Sequence, residues 1–288
     1  MGNINDLRDY ARQLAQTQGF VSMITTIEKE LLHYEILDAL DAEGILDELV
    51  FQGGTSLRLC YGAERYSEDL DFAGGRRFSA DDFEQIKNVV EREVGRAYSV
   101  TSSVTPPKNG GNMVSSWTVV VDTAPQRKDI PKQRIKIEIA SIGAHDPVVM
   151  PLQVNYTNLP TSYEDITVRV ESRDENMADK IEAFVCSDHV RYRDLWDMLW
   201  LRRQYAIDDS KVHRLRMLKA DDYGEIEKYA SRYSTVESRL DKAFVSQGFA
   251  AEMRRFLPQE RVNRTVAKKL WVEGARKQLS ELFQQYEP

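Results

Sequence analysis

The chain is almost without cysteine, with Cys60 and Cys186 the two in 288 residues. Their separation matches no zinc-ligand spacing and they lie in apolar helical contexts. Both read as reduced core residues, and a thiolate metal site or a disulfide scaffold is not expected. Histidine is sparse too, and His33, His145, His189 and His213 show no metal spacing. No run of about 18 apolar residues occurs, so a membrane span is not expected. Met1 to Arg8 carries neither the basic nor the apolar region of a secretion signal, and a cytoplasmic protein is expected. Low-complexity segments and internal repeats are missing. So is an excess of positive charge: the net charge of −7 argues against binding nucleic acid over the whole surface.

What is present is globular: 42% hydrophobic and 30% charged residues, with enough length for two domains. Residues 5–18 and 20–43 read as helices, the second with Ile24, Ile27, Leu31, Leu32, Ile36 and Leu40 on one face. A strand over 49–52, a short helix over 55–61 and a strand over 69–73 follow. Ser79 starts a helix to about Tyr98, with Phe83, Ile86, Val90, Val94 and Ala97 along its stripe. Segments 98–104, 113–122, 134–141 and 166–170 read as strands, the first two joined by a turn at Asn109 to Gly111. Beyond Asp174 the chain reads as helical, broken at Gly248 and at Leu257-Pro258. The expectation is an α/β (α+β) domain over 1–170 with a small mixed sheet, then a helical domain over 171–288.

Residues 53 to 72 carry the chemistry: Gly-Gly-Thr-Ser-Leu-Arg-Leu-Cys-Tyr-Gly-Ala-Glu-Arg-Tyr-Ser-Glu-Asp-Leu-Asp-Phe. Gly53 and Gly54 let the backbone approach a ligand, and amides at the start of the next helix favour an anion. Asp69 and Asp71 are two apart, which on a strand places them on one face. Two such carboxylates repel unless a cation lies between them, and Mg²⁺ is held by one or two carboxylates plus substrate phosphates. Together these features read as phosphoryl or nucleotidyl transfer.

The pattern resembles the nucleotidyltransferase superfamily, whose signature is Gly-Ser or Gly-Thr followed by Asp-x-Asp. Within it, Gly-Gly-Thr-Ser-Leu-Arg-Leu and Arg65-Tyr-Ser-Glu-Asp-Leu-Asp-Phe72 look like the AbiEii family, the MenT-like nucleotidyltransferase toxins of bacterial toxin–antitoxin systems. The resemblance covers about residues 45 to 200. It implies that Asp69 and Asp71 hold Mg²⁺, or Mn²⁺ in its place, with Glu138 on a later strand as a third carboxylate. Glu138 reads equally as a solvent-facing residue paired with Lys136, and the family often carries Asp there.

Thr55 aligns with the family's hydroxyl position and Ser56 is its reserve; Arg65 reads either as a phosphate contact or as a surface ion pair. Lys180, in Glu175-Asn-Met-Ala-Asp-Lys-Ile-Glu, would reach the triphosphate from the helical domain. Asp194, in Arg193-Asp-Leu-Trp-Asp197, would orient Lys180 or an arginine, not bind metal. The expected substrates are an NTP and RNA, the tRNA 3′ end above all, and the expected partner is a cognate antitoxin. A small-molecule nucleotidyltransferase and a non-catalytic nucleotide- or RNA-binding protein are the rival readings. Eight Lys or Arg and two Glu between Arg254 and Lys277 read either as an RNA footprint or as solvated helix faces.

Overall fold

The computed structural model describes residues 7–17, 23–108 and 113–288. The expected turn at Asn109 to Gly111 and the outermost residues of the expected first two helices lie outside them. The chain packs as two compact units, Met1–Val170 and Glu171–Pro288.

The first unit begins with helices α1 (Leu7–Thr17) and α2 (Ile24–Ala42). Strand β1 (Val50–Gln52) runs into α3 (Gly53–Tyr61), which is followed by β2 (Leu70–Ala73). A 3-10 turn at Ala80–Phe83 leads into α4 (Gln85–Tyr98), and the Ser79 hydroxyl accepts from the Asp81 amide as a cap. Then come β3 (Thr101–Thr105), β4 (Val114–Asp122), β5 (Gln133–Ala140), β6 (Pro147–Pro151), the one-turn α5 (Ser162–Asp165) and β7 (Thr167–Glu171). The strands form one mixed sheet in the order β3-β4-β5-β2-β1-β7-β6. Two pairings are parallel, β2 with β5 and β1 with β7.

Register follows from the alternation of apolar residues. Leu70 and Phe72 lie opposite Ile137 and Ile139 on the buried face. Phe51 stacks on Phe72 with ring centroids 5.1 Å apart. Helix α2 packs over β5, and α4 over β3 and β4. Slipping this register by one residue would exchange the isoleucines for charged residues, so the pattern fixes it strongly. The α4 stripe is as expected from Phe83 to Val94, but Ala97 is exposed and Tyr98 takes the buried position. Ser99, with φ 51°, ends that helix, so the next strand starts at Thr101, not at Tyr98. Strand β6 carried no readable pattern. It lies at the sheet edge between two prolines, and four of its five residues are exposed.

The second unit is helical: α6 (Arg173–Cys186), α7 (Tyr192–Gln204), α8 (Asp209–Tyr223), α9 (Ile226–Tyr233), α10 (Val236–Val245), α11 (Gly248–Phe256), α12 (Gln259–Arg264) and α13 (Lys269–Gln284). Ser172 starts α6 by accepting from the Glu175 amide at 3.1 Å, the first half of a capping box. The breaks at Gly248 and Pro258 fall where the sequence puts them. Both cysteines are free and buried.

Candidate active site

The site in the first unit is assembled by the turn from β1 into α3 and by the two strands that follow. Gln52 is extended and offers no side-chain cap to α3, and the first turn of α3 holds no acidic residue. The amides of Gly53, Gly54 and Thr55 are therefore among the orphan donors of a helix N-terminus, which suit an anion. Gly53 has φ +78°, and a Cβ there would sit 2.6 Å from Asp71 Oδ2. A Cβ on Gly54 would run into Arg65 Nη2 and come within 2.9 Å of Ser67 Oγ. Both glycines thus allow close approach, one to the acidic strand and one to the Arg65 and Ser67 side chains of the loop before it.

Thr55 and Ser56 are fully buried. The Thr55 hydroxyl donates to the Asp69 carbonyl, and Ser56 Oγ donates to the Gly53 carbonyl at 2.9 Å. Their hydroxyl protons hold the turn together, and the α3 amides are the donors left for a phosphate. Arg65 is 3% exposed and donates to the Tyr66 carbonyl at 2.8 Å, so it lies beneath the surface beside the turn.

Asp71 lies in β2, half-buried, beside Gln52 of β1 on one side and Glu138 of β5 on the other. Gln52 Oε1 is buried and has no hydrogen-bond partner among the described residues. Asp69 precedes the strand. Its Oδ1 accepts the Lys136 amide at 2.9 Å and so closes the end of the β2–β5 ladder. The spacing of two therefore places Asp71 on the strand face and Asp69 at the strand's start. Burial raises the Asp69 carboxyl above its ordinary range. The Lys136 amide and the Lys29 charge oppose that rise, and the negative charges of Glu138 and Glu68 add to it.

Glu138 shares the face of Asp71 but is engaged. Its Oε1 accepts from Lys136 Nζ at 3.1 Å and from Ser116 Oγ at 3.2 Å. The bond to Glu138, then its charge, raises the Lys136 ammonium, and Asp69 and Asp71 push it the same way. The donors of Asp69, Asp71 and Glu138 are hard oxygens suited to Mg²⁺. The space a Cβ on Gly53 would fill lies against one of them, and Gln52 Oε1 is an orphan beside them. On these grounds Asp69 and Asp71 fit a divalent cation. Glu138, held by Lys136, does not join them in a tight cluster. Among the described residues, the group whose ligand atoms all lie within 4.8 Å of one another is Glu182, Cys186 and Glu225. Arg216 pairs with Glu182 at 3.1 Å, and burial raises the Cys186 thiol, so that group is a buried ion pair with a protonated thiol.

In the second unit Lys180 is 6% exposed and its ammonium lies 2.8 Å from Asp197 Oδ2 and 3.4 Å from Asp194 Oδ1. Asp194 also accepts from Arg191. Asp194 therefore touches a lysine and an arginine, while Asp197, almost fully buried, is the nearer partner of Lys180. Sequence spacing puts both carboxylates on one face of α7 but gives no order between them. Lys29, whose ammonium is 3.4 Å from Glu68, carried no sequence signal, since it sits on α2 far from the motif.

A family model described as nucleotidyl transferase AbiEii toxin, type IV TA system, matches residues 35–278. The chain belongs to the AbiEii family. The AbiEii fold agrees with solved structures. The nucleotidyltransferase toxin MenT4 from Mycobacterium tuberculosis superposes with a TM-score of 0.57 at 21% identity, over 76% of this chain and 71% of that one. A candidate nucleotidyltransferase from Helicobacter pylori gives 0.47 at 18% identity, over 89% of this chain and 97% of its own. JHP933, also from Helicobacter pylori, gives 0.43 at 20% identity, over 89% and 94%. At those two scores too little geometry is shared to bear on the fold. Among curated proteins no significant match occurs. As an AbiEii chain the protein is a nucleotidyltransferase toxin of a type IV toxin–antitoxin system. No helix among the described residues is long and apolar enough to cross a membrane.

Proposed function

We propose that the protein transfers a nucleoside monophosphate from an NTP to an RNA hydroxyl, the 3′ end of tRNA above all, and releases pyrophosphate. The observation that carries this reading is the contact between the two halves of the motif. The glycine start of α3 lies directly against the Asp71 carboxylate, so an anion at the α3 amides is adjacent to the acidic strand. The amides of Gly53 and Gly54 hold phosphate oxygens, and Arg65 braces the turn. Asp69 and Asp71 would hold Mg²⁺, or Mn²⁺, which supplies positive charge for the triphosphate and the leaving group. Lys180 neutralises phosphate charge, oriented by Asp197 and Asp194. A cognate antitoxin is the expected partner, and the cytoplasm the expected compartment.

The test is to incubate the purified protein with Mg²⁺, each labelled NTP in turn, and total RNA. Label appearing on RNA with one or a few NTPs is expected, and tRNA ends should take most of it. Label found only on small molecules would favour the small-molecule reading. No label at all, with NTP binding intact, would favour a non-catalytic binder.

A further inference from the structure

The basic interval near the C-terminus is largely neutralised in place. Arg255 pairs with Glu252, Arg264 with Glu260, Lys269 with Glu273 and Lys277 with Glu281. Arg276 lies between Glu237 and Asp241. The count of Lys and Arg alone therefore overstates this surface as an RNA footprint.

His33, by contrast, belongs to no motif, yet α2 brings it to the acidic residues. It is 1% exposed, and its Nε2 lies 3.0 Å from the Glu68 carbonyl oxygen. A carbonyl only accepts, so Nε2 carries the proton and donates. Burial pushes the imidazole down to about 4; the carbonyl opposes that fall and the Lys29 charge adds to it. The ring is therefore neutral near pH 7. Lys29, one helical turn earlier, reaches the same residue at its side chain, with its ammonium 3.4 Å from the Glu68 carboxylate.

The Glu68 carbonyl and the Asp69 amide belong to one rigid peptide plane. The Asp69 carbonyl belongs to the next plane, and it accepts the Thr55 hydroxyl. Each plane flanking the Asp69 Cα is thus tied to a side chain, one from α2 and one from α3. Together the two planes set φ and ψ of Asp69. Its carboxylate in turn accepts the Lys136 amide of β5 at 2.9 Å. Asp71 is held by strand pairing with Gln52 and Glu138, but Asp69 precedes β2, whose pairing with β5 begins at Leu70 and Ile137. Side chains do for Asp69 what the ladder does for Asp71. A histidine serving the core alone needs any acceptor within reach. The acceptor here is the peptide group that leads into Asp69.

We infer that His33 is a positioning residue for the cation site. Its bond to the Glu68 carbonyl fixes the peptide plane from which the Asp69 carboxylate is presented. It acts through the backbone, not by contact with the cation. This rests on the reading of Asp69 and Asp71 as the residues that hold the cation.

The test measures Mn²⁺ binding to the full chain by calorimetry, without NTP, alongside the melting temperature. His33→Phe keeps an aromatic ring and removes the donor. It should weaken Mn²⁺ binding about tenfold, as loss of an outer partner of a metal ligand does. His33→Gln places an amide N–H near the position of Nε2 and should recover most of that loss. His33→Asn, whose amide reaches only as far as Nδ1, keeps the polarity but misses the carbonyl. It should bind Mn²⁺ as weakly as His33→Phe, and it serves where the phenylalanine variant does not fold. Tyr34→Phe is the control for loosening of α2. It removes the hydroxyl that donates to the Gln153 carbonyl at 2.7 Å, outside the acidic motif. It should lower the melting temperature and leave Mn²⁺ affinity unchanged. Native Mn²⁺ affinity in His33→Asn and His33→Phe, with binding weakened in Asp71→Ala, would overturn the positioning role alone. So would an equal loss of affinity in Tyr34→Phe, or no recovery in His33→Gln. If Asp71→Ala binds Mn²⁺ as tightly as the native chain, the cation reading itself fails and takes this inference with it.

Discussion

Asp71 Oδ2 lies 2.6 Å from the point that a Cβ on Gly53 would occupy, so a side chain on the first residue of α3 would displace that carboxylate. Gly53→Ala must push the carboxylate away and also hold a side chain at φ +78°. The backbone alone costs about 1–2 kcal/mol. Gly75, at φ +84° with nothing within 4 Å of its Cβ position, supplies the control. Both alanine variants should lose similar backbone stability in denaturation, but only Gly53→Ala should lose most of its nucleotidyl transfer. Equal transfer by the two would detach the Gly53–Asp71 contact from function.

Removing either acidic residue of the motif should be more severe. Asp69→Ala or Asp71→Ala should cut transfer at least about a thousandfold, about 4 kcal/mol of transition-state stabilisation. Asp71→Ala should also weaken Mn²⁺ binding measured directly, while circular dichroism stays native. Near-normal turnover by either variant would remove the assignment.

Lys136 holds the third carboxylate. Its ammonium is 3.1 Å from Glu138 and 48% exposed, so the pair adds little to stability. It does place a positive charge beside the proposed cation site. Lys136→Met should leave the melting temperature nearly unchanged and tighten Mn²⁺ binding several-fold in calorimetry. Weaker binding would mean that Lys136 organises the carboxylates instead of competing with the cation.

The two partners of Lys180 should separate by cost. Asp197 is 2.8 Å away, its side chain 1% exposed, whereas Asp194 is 3.4 Å away and shared with half-exposed Arg191. Asp197→Ala removes the nearer carboxylate from a buried ammonium and should cost about 3 kcal/mol in urea denaturation. Asp194→Ala should cost about 1–2 kcal/mol. Replacing Lys180 and Asp197 together should cost less than their separate effects summed. The reverse order for the aspartates would make Asp194 the anchor.

Glu35 supplies a pH dependence. It is buried, accepts from the Tyr163 hydroxyl at 2.6 Å, and burial pushes its carboxyl up from 4.5 to about 7. Asp38 and Glu93 push the same way, while the Tyr163 bond and the Arg96 charge oppose it. The folded chain holds this proton more tightly than the unfolded one. The group's contribution to stability is therefore complete below pH ~4.5 and is lost as pH rises through about 7, by about 3 kcal/mol in total. Glu35→Gln should be close to wild type near pH 4 and more stable near pH 8. A stability difference that does not change with pH would show that burial does not raise the Glu35 carboxyl above its unfolded value.

The motif from Gly53 to Phe72 made strand, turn, helix and strand legible because each has a local cause. Glycine permits the close turn, apolar alternation sets the β2 face, and a 3.6-residue stripe marks α2. The helical second unit was legible for the same reason, with Gly248 and Pro258 as its punctuation. Local pattern failed where exposure removed it, as in β6, whose Val149 is 69% exposed.

The sequence by itself determined which chemical groups the protein owns and their order along the chain. It set the two acidic residues after a glycine turn, the lysine on a later helix and the isoleucine alternation that locks the register. Tertiary structure decided what each charged group meets. Asp69 closes a ladder, Lys136 occupies Glu138, Asp197 outranks Asp194, and most of the C-terminal basic residues are matched by glutamate or aspartate. Periodicity fixes which way a side chain faces, because backbone geometry repeats. It cannot fix ion pairing, because a Coulomb partner is chosen by distance in space, and residues remote in sequence, such as Lys29 and Glu68, meet only after the chain packs.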